Sequence, residues 1–284
     1  MKKSFKTLGA ILLAAAGTTS SSVYAETLKD MISPVTNPIV FEDPRQSTEL
    51  RPLYYHHQFD DKFATEGGDV NLYALQARIK LMDNLSFIAV KDGYVDFNPK
   101  ATLKNDTGFA NLAAGFKYTL DECDNWISTV GLTYEAPTGE REVLQGQGDG
   151  YLNPFYSAGY TTGNWNFIGH SGFRIRMNGE DNAFFDANAH ASYKIGNFYP
   201  LAEFGLQHVA AAGNRLPIAD EGQDVINVGA SNSAGENIVT GAVGARYRIT
   251  DNIDVGTAYQ FPLHSASGSY IIDHRINADM IYRF

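Results

Sequence analysis

The sequence predicts an all-β fold: an antiparallel up-and-down transmembrane β-barrel of twelve strands. Three observations carry this. Apolar and polar residues alternate with period two over runs of about ten residues, long enough to cross an outer membrane when tilted and about twice the usual globular strand. Short turns and long polar loops alternate between those runs, which puts the turns on the periplasmic side and the loops outside. An export signal precedes the runs, and no later stretch approaches the ~20 continuous apolar residues of a membrane helix.

The export signal occupies residues 1–25. Residues 1–6 form a basic start, residues 8–17 an apolar run too short to span, and Val23-Tyr24-Ala25 a cleavage site with small residues at −3 and −1, cut after Ala25. Its loss removes three lysines and takes the net charge from −10 to −13. An acidic chain of this kind argues against a nucleic-acid partner. The single cysteine, Cys123, excludes a disulfide framework and any CxxC metal site. Residues 26–48, with Pro34, Pro38 and Pro44, alternate weakly and read as an irregular segment. It hangs in the periplasm, folds into the lumen as a small plug, or forms a disordered leader; the sequence leaves these open.

The barrel takes residues 49–284, with strands at 49–59, 70–81, 85–97, 108–120, 125–136, 152–160, 164–177, 183–195, 198–209, 237–249, 253–263 and 274–284. The alternation is clearest at 239–249, where Val239, Gly241, Val243, Ala245, Tyr247 and Ile249 oppose Thr240, Ala242, Gly244, Arg246 and Arg248. It breaks near Lys91-Asp92-Gly93, which predicts a bulge or strand end there. Short turns fall at 82–84, 121–124, 161–163, 196–197 and 250–252. Longer loops fall at 60–69, 98–107, 137–151, 178–182, 210–236 and 264–273. An even strand count puts both termini on the periplasmic side.

The aromatic composition, 16 Tyr and 17 Phe against 2 Trp, finds an address in this register. Strands running toward the turns end in a repeated cassette, so that Tyr118, Tyr193, Tyr247 and Tyr282 lie outward at one depth, as an interfacial girdle. Tyr134, Phe173, Phe185, Tyr259 and Phe261 are candidates for the outer girdle. The tail, residues 277–284, resembles the C-terminal insertion signal of bacterial outer-membrane proteins, with Asn277, Tyr282 and Phe284 matching and Asp279 standing where Gly is common. The resemblance implies the barrel-assembly machinery as a partner, with outer-membrane lipid and lipopolysaccharide around the wall.

Because charge on the lipid face is costly, the charged residues of the strands are assigned to the lumen. Arg78, Lys80, Lys117, Lys194, Arg246, Arg248 and Arg283 fall in the periplasmic half; Asp186, His190, Glu203, Asp254, Arg275 and Asp279 are inward at various depths. Two arrangements fit: a basic constriction that favours anions, or a salt-bridged plug in which Arg pairs with Asp and Glu. Twelve strands lie between a filled barrel of about 8 and an open pore of about 16, so lumen width stays open.

Enzyme signatures are weak. His190 and Ser192 share a face, as a base and nucleophile would, but that face points inward. His208 and His274 lie near the outer rim without a clear serine and orienting partner. His56 and His57 project to opposite faces and make a poor metal pair. Gly146 to Gly150 leads into a strand and reads as a flexible outer loop, not a phosphate cradle. No catalytic residue, metal or cofactor is expected.

Residues 131–142, Gly-Leu-Thr-Tyr-Glu-Ala-Pro-Thr-Gly-Glu-Arg-Glu, followed by Gly146 to Gly150 and Asn153-Pro154, are similar to a transporter family associated with the meta pathway of phenol degradation. Tyr247 to Ile253 and the terminal Tyr282-Arg283-Phe284 share the likeness, which covers residues 70–284; residues 26–48 do not align. It implies an outer-membrane barrel admitting small, often aromatic, organic molecules, with no catalytic residues. The sequence therefore points to a Gram-negative outer-membrane channel for passive uptake of small anionic or aromatic solutes, with loops 137–151 and 210–236 as gates. An outer-membrane lipid hydrolase with a rim histidine and a closed structural or adhesive barrel are the alternatives. Solute and oligomeric state are not legible.

Overall fold

Within a hydrocarbon layer a strand can satisfy its backbone polar groups only on a neighbouring strand, so period-two runs must close into a ring. The computed structural model describes residues 28–264 and 270–284. The export signal, and part of the last long loop, lie outside the described residues.

The chain forms β1 (Glu49–Gln58), β2 (Gly68–Met82), β3 (Leu85–Lys91), β4 (Tyr94–Pro99), β5 (Asp106–Phe109), β6 (Leu112–Glu122), β7 (Trp126–Ala136), β8 (Tyr151–Thr162), β9 (Trp165–Arg176), β10 (Ala183–Tyr193), β11 (Phe198–Ala211), β12 (Asn237–Thr250), β13 (Ile253–His264) and β14 (His274–Arg283). Each pairs antiparallel with its neighbours, and β1 pairs with both β2 and β14, closing the sheet. The fourteen segments make a twelve-stranded barrel, because β3 with β4 and β5 with β6 are each one interrupted strand: β2 pairs with β3 below the interruption and with β4 above it.

The first interruption is the expected one, at Asp92-Gly93. Gly93 has φ of +115°, and a Cβ there would lie 2.6 Å from the Tyr73 carbonyl oxygen, so only glycine fits without strain. The second, at Ala110-Asn111, corrects the continuous strand read over 108–120. The buried Asn111 side chain accepts hydrogen bonds from the backbone N–H groups of Gly139 (3.0 Å) and Gly146 (2.8 Å) and donates to Glu135 Oε1 at 2.8 Å. The strand breaks to anchor the following long loop. That corrects a second expectation: residues 137–151 are a shaped loop with a 3₁₀ turn at Arg141–Val143, tied down at Gly146.

Facing follows the sequence pattern. Along β12, Val243 is 56% exposed on the outer face, while Arg246, three residues on, is fully buried inside. Leu75, Phe116, Leu132 and Phe167 join the outward apolar band. Near the short turns Tyr118, Tyr247 and Tyr282 are exposed on that face, and Tyr193 is half-buried with its ring 5.0 Å from Trp165. Toward the long loops Tyr134, Phe173 and Tyr259 are exposed; Phe173 packs on Phe185 and Tyr259 on Phe261.

The interior is not empty. Residues 28–48 enter at the short-turn end and run inside the barrel, and residues 221–230, the middle of the long loop after β11, fold inward from the long-loop end. An apolar cluster in the upper lumen, including Tyr55, Phe59, Phe97, Val225, Ile226 and Ile271, joins the wall to the inward loop.

Candidate functional site: an occupied lumen

The N-terminal segment has no regular ladder of its own, so wall side chains must satisfy its backbone. They do so at successive depths. On β11 the buried Glu203 carboxylate accepts the backbone N–H groups of Val35 (2.8 Å) and Thr36 (2.7 Å) and the Thr36 hydroxyl (2.5 Å). His190 on β10 lies 2.7 Å from the same carboxylate through Nδ1. Arg246 donates from Nε to the Ser33 carbonyl oxygen (3.1 Å), and Arg51 from Nη2 to that of Pro34 (2.8 Å). Both guanidinium groups are held by Asp279, with Arg246 in a fork at 2.7 and 2.9 Å. Gln76 donates to the Pro38 carbonyl oxygen, Ser157 to that of Glu42 and Thr129 to that of Pro44. Asn37 bonds Asn188 and Gln260 at 2.9 Å each. Met31 and Phe41 pack on Ile127 and Ile168, and Ile32 and Val35 on Tyr199, Leu201 and Ala258.

One contact reverses the direction of charge. Glu42, on the segment, reaches into the wall and meets Arg78 (Nη2 2.6 Å, Nε 3.1 Å) and Lys117 (2.8 Å), all three buried. Burial alone would raise the Glu42 carboxyl, but the two cations outweigh it and hold it down to about 2. Asp43 is likewise lowered: burial opposes, and the neighbouring Arg45 guanidinium wins. Arg45 also donates to the Met31 carbonyl oxygen at 2.6 Å, folding the segment's entry on itself.

At the short-turn mouth the charges are wetter. Lys194 pairs with Asp30 at 2.9 Å, Arg248 with Asp254 at 3.2 Å, Arg283 with Asp254 at 2.7 Å, and Lys80 with Asp83 at 2.9 Å. A cavity of about 550 Å³ opens at this mouth, bounded by Asp30, Arg45, Glu49, Lys80, Arg248 and Arg283.

The long-loop end follows the same logic. Asp224 of the inward loop pairs with Arg275 of β14 at 2.8 Å, and Arg275 in turn donates to His57 Nδ1 at 3.0 Å. Lys91 and Gln145 donate to the Val225 carbonyl oxygen, Arg174 to that of Asp224 and Gln207 to that of Gly222. Glu221 shapes the loop itself by accepting the N–H groups of Gly222, Val228 and Ala230. Burial raises its carboxyl above the ordinary value. Wall pairs Arg174–Asp186 (3.2 Å) and Lys91–Glu135 lie between the two occupants. Inner cavities there are about 30 Å³ and 10 Å³, room for one or two waters.

The structure thus places Arg78, Lys117, Arg246, Glu203 and Asp186 inside, each in a specific pair, with Lys80, Lys194 and Arg248 at the mouth. The basic residues form paired sites at several depths rather than an unpaired ring. Arg51, Gln76, Glu135 and Arg174 belong to the same lining and were readable from period two; Lys91 joins them at the break in alternation, where period two does not mark it. Glu42 and Asp224 lie outside any strand, where no periodicity marks them. His190 Nε2 and Ser192 Oγ both lack a hydrogen-bond partner, so the two do not reach each other. His208 bonds Asn237, and His274 bonds Asp273 and stacks on Tyr259; among the described residues no serine bonds either ring. Asn277 is buried in the lumen wall.

No protein-family profile matches the chain, and no curated protein matches it in sequence. Among solved structures it is similar to an outer-membrane channel from Pseudomonas putida F1 (TM-score 0.58, 15% identity, 89% of this chain and 100% of that one). It is also similar to the NanC porin (TM-score 0.54, 10% identity, 84% of this chain and 100% of that one). At these identities the likeness shows a shared architecture: this chain has the closed antiparallel twelve-stranded fold of outer-membrane β-barrels.

Proposed function

We propose that the protein is a Gram-negative outer-membrane channel for small solutes, anionic or aromatic, closed at rest by its own N-terminal segment, with the inward loop as a gate at the outer mouth. The observation that carries this is the lumen lining. Its wall residues hold residues 28–48 through many polar contacts that water or a charged solute can replace, beside two small apolar clusters. The channel-type architecture and the likeness of residues 70–284 to an aromatic-solute transporter family support the same reading. The outward Tyr118, Tyr193, Tyr247 and Tyr282 serve as an interfacial girdle in lipid and lipopolysaccharide. Asn277, Tyr282 and Phe284 act as the signal to the barrel-assembly machinery, and the leader is cut after Ala25.

Liposome swelling with solutes of graded size and charge, run on the native chain and on the barrel lacking residues 28–44, tests the proposal. A channel admits small solutes and releases no fatty acid from phospholipid; fatty-acid release would favour the hydrolase reading. The small inner cavities favour a second reading, a permanently closed structural barrel, which the absence of swelling even from the barrel lacking residues 28–44 would support.

A further inference from the structure

Two cation sites in the lumen share a feature. Most inner cations find their acid on the wall: Arg246 and Arg51 on Asp279, Arg174 on Asp186, Lys91 on Glu135. At two places the closest carboxylate is instead supplied by a segment that is not wall. Arg78 and Lys117 hold Glu42 of the N-terminal segment, with the wall's Glu49 at 3.8 Å from Arg78. Arg275 holds Asp224 of the inward loop. The first site is a formed carboxylate cradle. Arg78 makes a two-point fork on Glu42 while Lys117 adds a third donor on Oε1. Gln76 fixes Arg78 by accepting from Nη1 at 3.0 Å. A cavity of about 30 Å³ adjoins Glu42 on the side of Arg174.

Withdrawing the segment would leave two desolvated cations without their main counter-charge, which is costly unless another anion takes the place. A neutral solute cannot do that; a carboxylate can, with the same fork geometry. Resting on the channel reading above, we propose that Arg78 and Lys117 form a binding site for small organic carboxylates, and that Glu42 is a tethered competitor which such a solute displaces to open the lumen. Asp224 on Arg275 is the corresponding stand-in nearer the outer mouth, so that a solute anion meets the two sites in series. Its Oδ2 is unpartnered, so its grip is the lighter of the two.

The test is planar-bilayer recording of the full mature chain with benzoate and, as a neutral match in size, benzyl alcohol. Folding of every variant is checked by heat-dependent gel migration. The site predicts that millimolar benzoate raises the open fraction of the native protein at least tenfold and that benzyl alcohol does not. Glu42→Gln should be open without benzoate and no longer respond to it. The paired change Arg78→Gln with Lys117→Gln should abolish the benzoate response even in folded protein. Equal responses to the two solutes, or a folded Glu42→Gln variant as closed as the native chain, would overturn the competitor site. If Glu42→Gln stays closed while a barrel lacking residues 28–44 conducts, the latch fails and the channel reading survives. If no variant conducts, that truncation included, the channel reading fails and this inference with it.

Discussion

Glu203 accepts both the backbone N–H and the hydroxyl of Thr36 on a single oxygen, at 2.7 and 2.5 Å. A wall carboxylate thus caps a turn of the N-terminal segment as an N-cap residue caps a helix. Hydrogen bonds to a charged group are worth about 1.5–3 kcal/mol each. Glu203→Ala should therefore loosen the segment by about 2 kcal/mol or more, roughly thirtyfold in its docking equilibrium. Hydrogen exchange of Val35 and Thr36 measures this. Protection equal to the native protein would count against Glu203 as an anchor.

Acid should release the segment. The docked Glu42 titrates near 2, against 4.5 for a free carboxyl, so its contribution is complete above 4.5 and is lost as pH falls toward 2. The linkage is on the order of 3 kcal/mol. Channel openings should rise as pH is lowered from 5 to 3, and Glu42→Gln should remove that dependence. A flat profile in the native protein would be inconsistent with the latch.

Arg246→Glu should not act as a simple change in lumen charge. Arg246 forks onto Asp279 and holds the Ser33 carbonyl oxygen, so reversal sets two buried carboxylates together. Breaking such a pair costs about 3–5 kcal/mol. Denaturant unfolding in detergent should show a loss of that order. A shift in reversal potential at unchanged stability would mean that Arg246 is less tightly coupled than its contacts imply.

Asn111→Ala should free the loop at 137–151 and leave the barrel intact. It leaves the Gly139 and Gly146 N–H groups without their acceptor, at about 1–3 kcal/mol in the loop. Faster cleavage at Arg141 by trypsin, with unchanged heat-dependent migration, is the expected result.

Val243→Arg probes the membrane face. Val243 is exposed midway along β12, where an arginine on lipid costs about 2–4 kcal/mol. The penalty should appear in lipid bilayers; its absence would argue against a hydrocarbon layer at that depth.

What the sequence made legible follows from periodicity. Most barrel strands carry a period-two pattern, so Arg246 and Tyr247 could be sent to opposite faces from their neighbours alone. The break at Gly93 announced itself through lost alternation. The break at Asn111 did not, because its cause is a pair of hydrogen bonds to Gly139 and Gly146, distant in sequence. The same holds for the lumen. That Arg78 and Lys117 face inward was readable; that Glu42 meets them was not. Residues 28–48 carry no period and dock through backbone carbonyls and single side chains, which leave no local signature. The choice between a basic constriction and a salt-bridged interior turned on those partners.

On the proposed reading, the chain's own N-terminal segment closes a lumen that is otherwise a passage. Single-channel conductance of the native protein beside the same barrel lacking residues 28–44 tests it most directly. The native channel should be quiet, and conductance should become steady and at least tenfold higher once the segment is removed from a folded barrel. Identical currents from the two would contradict it.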